Sequence, residues 1–189
     1  MTDHLMIPLH ITERQTTYSC PFVEIYHRRA HFEGFSKDYY VVSFKRRGGI
    51  VALRDGKVLL VRQYRFLVND HSWELPGGTI EETENLELGL VRECFEETGV
   101  RPRSLQRLIV YYPGLDNVDN RTTVFYSEDV EIAAPFKGNP TEVSQIAWIP
   151  FETCLQMVFS QQILDAMTVS GLLAYGHVSR QRNVSGQRA

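Results

Sequence analysis

Cysteine is scarce here: Cys20, Cys94 and Cys154 are the three in 189 residues, an odd number at no metal-ligand spacing. That argues against a disulfide framework and a thiolate zinc site, and it suits a reducing compartment. Net charge is nearly absent too. Lys and Arg number 20 against 23 Asp and Glu, a formal charge of -3, so nothing draws the chain electrostatically to nucleic acid or to an anionic membrane. Any anionic ligand has to be met by local cations. No apolar run approaches the length of a bilayer span, and the N-terminal MTDHLMIPLHITERQ has no apolar h-region. A cytoplasmic protein is therefore expected, without membrane or nucleic-acid partners. Repeats and a linker that would mark a second domain are missing as well.

What is present is an ordinary globular composition, 43% hydrophobic and 23% charged, in a chain long enough for one good core. Residues 22–26, 39–44, 50–53 and 58–64 are rich in β-branched and aromatic side chains and are predicted as strands, with Asp55-Gly56 as a hairpin turn between the last two. Apolar residues Leu86, Leu90, Val91, Cys94 and Phe95 follow the helical period, and Gly99 stands as the stop, so residues 86–98 are predicted as an amphipathic helix. Further strands are expected at 105–112, 122–126 and 145–149, and helices at 150–159 and 163–175. A polar, frayed tail is expected at 179–189. This order of elements predicts an α/β sandwich.

Between Glu81 and Glu97 stand seven glutamates and a single arginine, Arg92. Glu93, Glu96 and Glu97 emerge from one face of the predicted helix, where each like-charged pair costs roughly 0.2–0.5 kcal/mol. Two readings are open on charge alone: a solvated helix face, or carboxylates gathered around a hard divalent cation. In the second, Gly77-Gly78 lets a backbone carbonyl approach the same ion, and Arg92 pairs with Glu84 to hold the loop on the helix.

Spacing separates them. Gly78, five residues, Glu84, seven residues and then Arg92-Glu93-Cys94-Phe95-Glu96-Glu97-Thr98-Gly99-Val100 resembles the full signature of the Nudix hydrolase family, G-x5-E-x7-R-E-U-x-E-E-x-G-U with U aliphatic. Cys94 is the one soft departure, a small hydrophobe at an aliphatic position. The resemblance implies a Nudix fold, a mixed β-sheet sandwiched between helices, in which a loop-helix-loop binds Mg2+, with Mn2+ as a substitute. It also implies metal-binding roles for Glu93, Glu96 and Glu97, a backbone ligand at Gly77, and supporting roles for Glu84 and Arg92. The implied chemistry is attack of water on a phosphorus of a nucleoside diphosphate linked to another moiety.

The flanks resemble one branch of that family, the ADP-ribose and nucleoside-diphosphate-sugar pyrophosphatases. VRQYRFLVNDHSWELPGG, RRGGIVAL and ILDAMTVSGLLAY carry the likeness. It implies an N-terminal β-region, residues 1–45, that pairs with a second subunit, a hydrolase domain at 46–178, and a homodimer. Arg62 and Arg65 are then candidates for the diphosphate or terminal ribose, and Glu74 for a sugar hydroxyl or a metal-bound water. Pro113, Gly114 and Asp116 of YYPGLDNVDN resemble that branch's Pro-Gly loop ending in an acidic residue, but they depart from it in a shorter spacing from Gly99 and in offering Asp116 and Asp119 in place of glutamate. Glu142 of GNPTEV is the candidate general base, with Glu93 and Glu97 as alternatives. The expected activity is Mg2+-dependent cleavage of ADP-ribose or a related ADP-sugar to AMP and a sugar phosphate. GDP-mannose or another nucleotide sugar is the alternative substrate, and a non-catalytic ligand sensor the alternative of another class.

Overall fold

The computed structural model describes residues 6–139 and 142–186. Along the chain run β1 (His10–Ile11), β2 (Gln15–Ser19), β3 (Glu24–Phe32), β4 (Phe35–Ser43), β5 (Arg46–Arg54), β6 (Lys57–Arg65), β7 (Asp70–Glu74) and β8 (Gly77–Ile80). Helix α1 (Leu86–Thr98) follows, then β9 (Val100–Pro102), β10 (Gln106–Tyr111), β11 (Val118–Asp119), β12 (Thr122–Ser127), β13 (Val130–Ile132) and β14 (Val143–Pro150). Helices α2 (Phe151–Phe159) and α3 (Ala166–Gly186) close the order. The chain divides into two units. No described helix is long and apolar enough to cross a membrane.

The first unit takes the chain up to Lys45 together with Tyr112–Arg121. Its centre is the β3–β4 hairpin, paired from Glu24↔Ser43 to Phe32↔Phe35. Strands β1 and β2 add to β3, and β11 lies parallel to β4. Sequence reasoning saw only short pieces of this hairpin, because His27 to His31 and Ser36 to Asp38 are polar. Their stability lies in cross-strand partners: Asp38 accepts from Arg29 at 2.8 and 2.9 Å and pairs with His27 at 2.7 Å.

The second unit is Arg46–Tyr111 with the chain from Thr122 onward. Its seven-stranded sheet has the central order β10-β12-β5-β6-β14, with β7 on β6 and β8 on β5. The sheet is mixed, since β12 runs parallel to β5 while the other pairs are antiparallel. Alternation along the strands builds two cores. Val51, Leu53, Val58, Leu60, Val124 and Tyr126 pack with Cys154, Met157, Met167 and Leu172 from α2 and α3. Ile50, Ala52, Leu59 and Phe125 point the other way and pack with Leu90 and Cys94 of α1. This is the expected α/β sandwich, a sheet covered by helices on both faces. Asp55 and Gly56 form the predicted hairpin turn, both with positive φ. Helix α3 differs from expectation: it starts at Ala166 and runs to Gly186 instead of ending at 175. Its polar end is held by Arg182, which pairs with Glu128 at 3.0 Å and lies over the Tyr126 ring.

Candidate active site

Helix α1 has the predicted bounds. Asn85 accepts from the Leu88 N–H at 3.1 Å, and Gly99, at φ 74°, donates to the Phe95 carbonyl at 2.8 Å. Leu90 and Cys94 are sealed against the sheet, so the helical period carries Glu93, Glu96 and Glu97 outward as a group. They meet β8 there. Gly77 has φ 147°, and a Cβ on it would stand 2.3 Å from the Gly48 carbonyl, so this crossing of β5 and β8 requires glycine.

A cavity of about 830 Å³ opens beside α1. It lies where the sheet parts: β5 pairs with β6 only at Leu53↔Val58 and Arg54↔Lys57, after which β5 takes up β8 and β6 takes up β7. Glu93, Glu96 and Glu97 line one side together with Gly77 and Gly78. Arg47, Gln63 and Arg65 line it from β5 and β6, and Ala134 to Asn139, with Phe136 and Lys137, line it too, as does Glu142. Acidic and basic groups thus face one space, large enough for a nucleotide-sized ligand.

Each carboxylate has a distinct environment. Glu97 accepts from the Gly77 N–H at 2.9 Å and from Gln63 at 3.3 Å. Burial, with the nearby Glu93 charge, pushes its pKa up to about 7 against those hydrogen bonds. Glu93 and Glu96 lie 2.8 and 2.9 Å from Arg92 Nη1. Arg92 also grips Glu84 through two nitrogens, at 3.1 and 3.2 Å, which is the expected tie between loop and helix. Glu142 is exposed on the cavity rim and accepts from Asn139 at 2.8 Å.

The structure therefore brings together Gly77, Glu93, Glu96, Glu97, Arg65 and Glu142, with Arg92 and Glu84 behind them. Two expected contacts on β6 and β7 fall elsewhere. Arg62 is three residues from Arg65, hence on the opposite face of β6, where its guanidinium lies over the Trp73 ring. Glu74 is 2% exposed and is engaged by Arg65, so it does not line the cavity. Pro113, Gly114 and Asp116 belong to the first unit, where Gly114 bridges to Val118. Sequence reasoning missed Arg47, Gln63 and the loop from Ala134 to Asn139. Counting β6 by twos would have found Gln63, since it shares a face with Arg65.

Among the described residues no three acidic, histidine or cysteine side chains already converge to hold a metal ion, and Arg92 draws Glu93 and Glu96 to itself. The donors nonetheless fit a hard divalent cation: three carboxylates, all oxygen, on one cavity wall. A Cβ at Gly78 would come within 3.3 Å of Glu93 Oε2, so glycine keeps space beside that oxygen.

Comparison with known proteins adds an independent observation. The profile of the NUDIX domain matches residues 44–165. A CMP-5'-(N-acetyl-N-hydroxy-3-aminopropyl)phosphonate hydrolase of Streptomyces rubellomurinus is 29% identical over 130 residues, 66% of this chain and 61% of that protein. This match therefore spans about three fifths of that relative's length. An ADP-ribose pyrophosphatase of Bacillus subtilis is 27% identical over 128 residues, 66% of this chain and 69% of the relative. The crystal structure of an ADP compounds hydrolase superposes with a TM-score of 0.75 over 94% of this chain and 95% of that one, at 15% identity, a likeness of fold.

Proposed function

We propose that this chain, which belongs to the NUDIX domain family, is a hydrolase that cleaves the diphosphate of ADP-ribose or a related ADP-sugar, giving AMP and a sugar phosphate. The observation that carries the reading is the cavity lined by Glu93, Glu96 and Glu97 together with Arg47 and Arg65. A diphosphate brings two phosphoryl groups whose charge needs cations, and its hydrolysis needs a carboxylate-held metal and a base. The same cavity has arginines, carboxylates of a kind that holds a metal, and Glu142 as the candidate base.

In this reading Glu93, Glu96 and Glu97, with the Gly77 backbone, hold Mg2+ or its substitute Mn2+. The ion, when bound, supplies charge neutralisation on the phosphoryl oxygens and activates water. The chain's own groups do the rest. Arg65 and Arg47, which line the same cavity as the glutamates, orient the diphosphate. Gln63 and the Gly77 N–H hold the Glu97 carboxylate in place. Glu142, on the loop before β14, takes the proton of the attacking water as the new P–O bond forms and the bridging P–O bond breaks. Arg92 keeps Glu84, Glu93 and Glu96 in register.

The enzyme acts, on this reading, as a cytoplasmic homodimer assembled through the N-terminal β-region of residues 1–45. Size-exclusion chromatography with light scattering should give about twice the 21.8 kDa chain mass. A monomer at micromolar concentration would remove the dimer from the proposal.

The test of function is release of nucleoside monophosphate from ADP-ribose, ADP-glucose, GDP-mannose, UDP-glucose and a CMP-linked ester, each with and without Mg2+. Mg2+-dependent cleavage that peaks on an ADP compound is expected. A peak on GDP-mannose or the CMP ester would change the base but keep the chemistry, while tight binding of one compound without cleavage would make the protein a sensor.

A further inference from the structure

Glu74 and Arg65 form an unequal pair. The Glu74 side chain is 3% exposed and the Arg65 side chain 40%. Arg65 donates Nε to Oε1 at 2.6 Å and Nη2 to Oε2 at 2.5 Å, so both carboxylate oxygens are taken by one planar fork. The partners are distant in register. Arg65 lies opposite Asp70 and Glu74 opposite Val61, with Gln63↔Ser72 between them on the same face, so the two side chains reach toward each other along the sheet. Of the two, only Arg65 lines the cavity.

A buried pair of this kind is a poor device for stability alone, since desolvation of the carboxylate offsets the attraction. As a device for fixing a cation it has a clear use. An arginine side chain has many rotamers, and Glu97 and Glu93 line the same cavity. Unclamped, the guanidinium would be drawn onto those carboxylates, cancelling the cation meant for the substrate and the anions meant for a metal. In the structure Glu97 has the Gly77 N–H and Gln63 as hydrogen-bond partners instead.

We propose that Glu74 is a positioning residue that never touches substrate: its buried carboxylate clamps Arg65 and holds the guanidinium, by its remaining edge, as a preformed site for one phosphoryl group of the diphosphate. The inference rests on the diphosphate reading of the cavity and assigns one subsite within it.

The test combines Glu74→Gln, Arg65→Lys and the double variant, each read three ways: steady-state kinetics at saturating Mg2+, calorimetric binding of inorganic diphosphate, and thermal midpoint. Glu74→Gln should raise KM for the preferred substrate about tenfold or more while kcat stays within about threefold, and should weaken diphosphate binding in parallel. Because both changes remove one device, the double variant should be little worse than Arg65→Lys alone. Wild-type KM and diphosphate binding in Glu74→Gln, or losses that multiply in the double variant, would overturn the clamp. Should Glu74→Gln show no cooperative melt, Glu74→Asp carries the test. It keeps the charge but shortens the arm, so a raised KM with a cooperative melt supports the clamp and an unchanged KM overturns it. Diphosphate bound by the wild type without turnover of any nucleotide ester would remove the functional reading and leave the calorimetric arm of this test standing. No diphosphate binding at all would overturn both.

Discussion

At the scale of single residues, Glu97 shows how burial changes one carboxylate. Its pKa is pushed up to about 7, first by burial and then by the nearby Glu93 charge, so it keeps its proton to higher pH than a free glutamate does. The sign for stability follows. Below the ordinary value of 4.5 both folded and unfolded chains hold the proton; between 4.5 and about 7 the unfolded chain releases it first, so folding stability attributable to Glu97 falls as pH rises. Thermal melts in EDTA should therefore show Glu97→Gln gaining on the wild type between pH 5 and pH 8, and a constant difference would refute the assignment of the shift. With Mg2+ present, the same variant should lose turnover by at least about 100-fold while remaining folded, as read by circular dichroism and the coupled assay. The cysteines give a second contrast. Cys94 is pushed up to about 12 and Cys154 to about 11 by burial, whereas the backbone N–H of Phe22 lowers that of Cys20. Titration of the native protein with a chromogenic disulfide at pH 8 should show one fast thiol, which disappears in Cys20→Ser.

At the scale of elements, α1 was legible in the sequence to its ends because the apolar period through Leu90 and Cys94 and the stop at Gly99 agreed; the Asn85 cap is what the structure adds. Strands β7 and β8 were not legible. Asp70–Glu74 is polar, and Gly77–Ile80 reads as a turn until β5 supplies its partners. That crossing is also the most sensitive backbone point in the site. Gly77→Ala should destabilise by roughly 2–4 kcal/mol in urea denaturation, because φ and the Gly48 carbonyl both oppose a Cβ. Asn85→Ala, which removes only a cap, should cost about 1 kcal/mol. Strand parity explains the arginines. Arg62 and Arg65 look equivalent in a list of cations, yet three residues of strand put one over Trp73 and the other in the cavity.

At the scale of the molecule, the second unit depends on one sheet shared by two cores. Leu172 packs in the core under α3 and Leu90 in the core under α1, both fully buried. Either one changed to Ala should cost about 2–5 kcal/mol and lower a single cooperative transition, since the strands between are common to both. Two separate transitions within this unit would contradict that picture.

The sequence by itself determined the chemistry of the acidic helix and most of the elements, because glutamate spacing, caps and alternation are local properties of a chain. Tertiary structure decided the other half of the site. Which cations share the cavity with the glutamates depends on where β5 and β6 part, on the β6–β7 register that hides Glu74 beneath Arg65, and on the loop from Ala134 to Asn139 that lines the cavity. Those are relations between residues far apart in the chain, set by strand pairing and burial, and no local pattern encodes them.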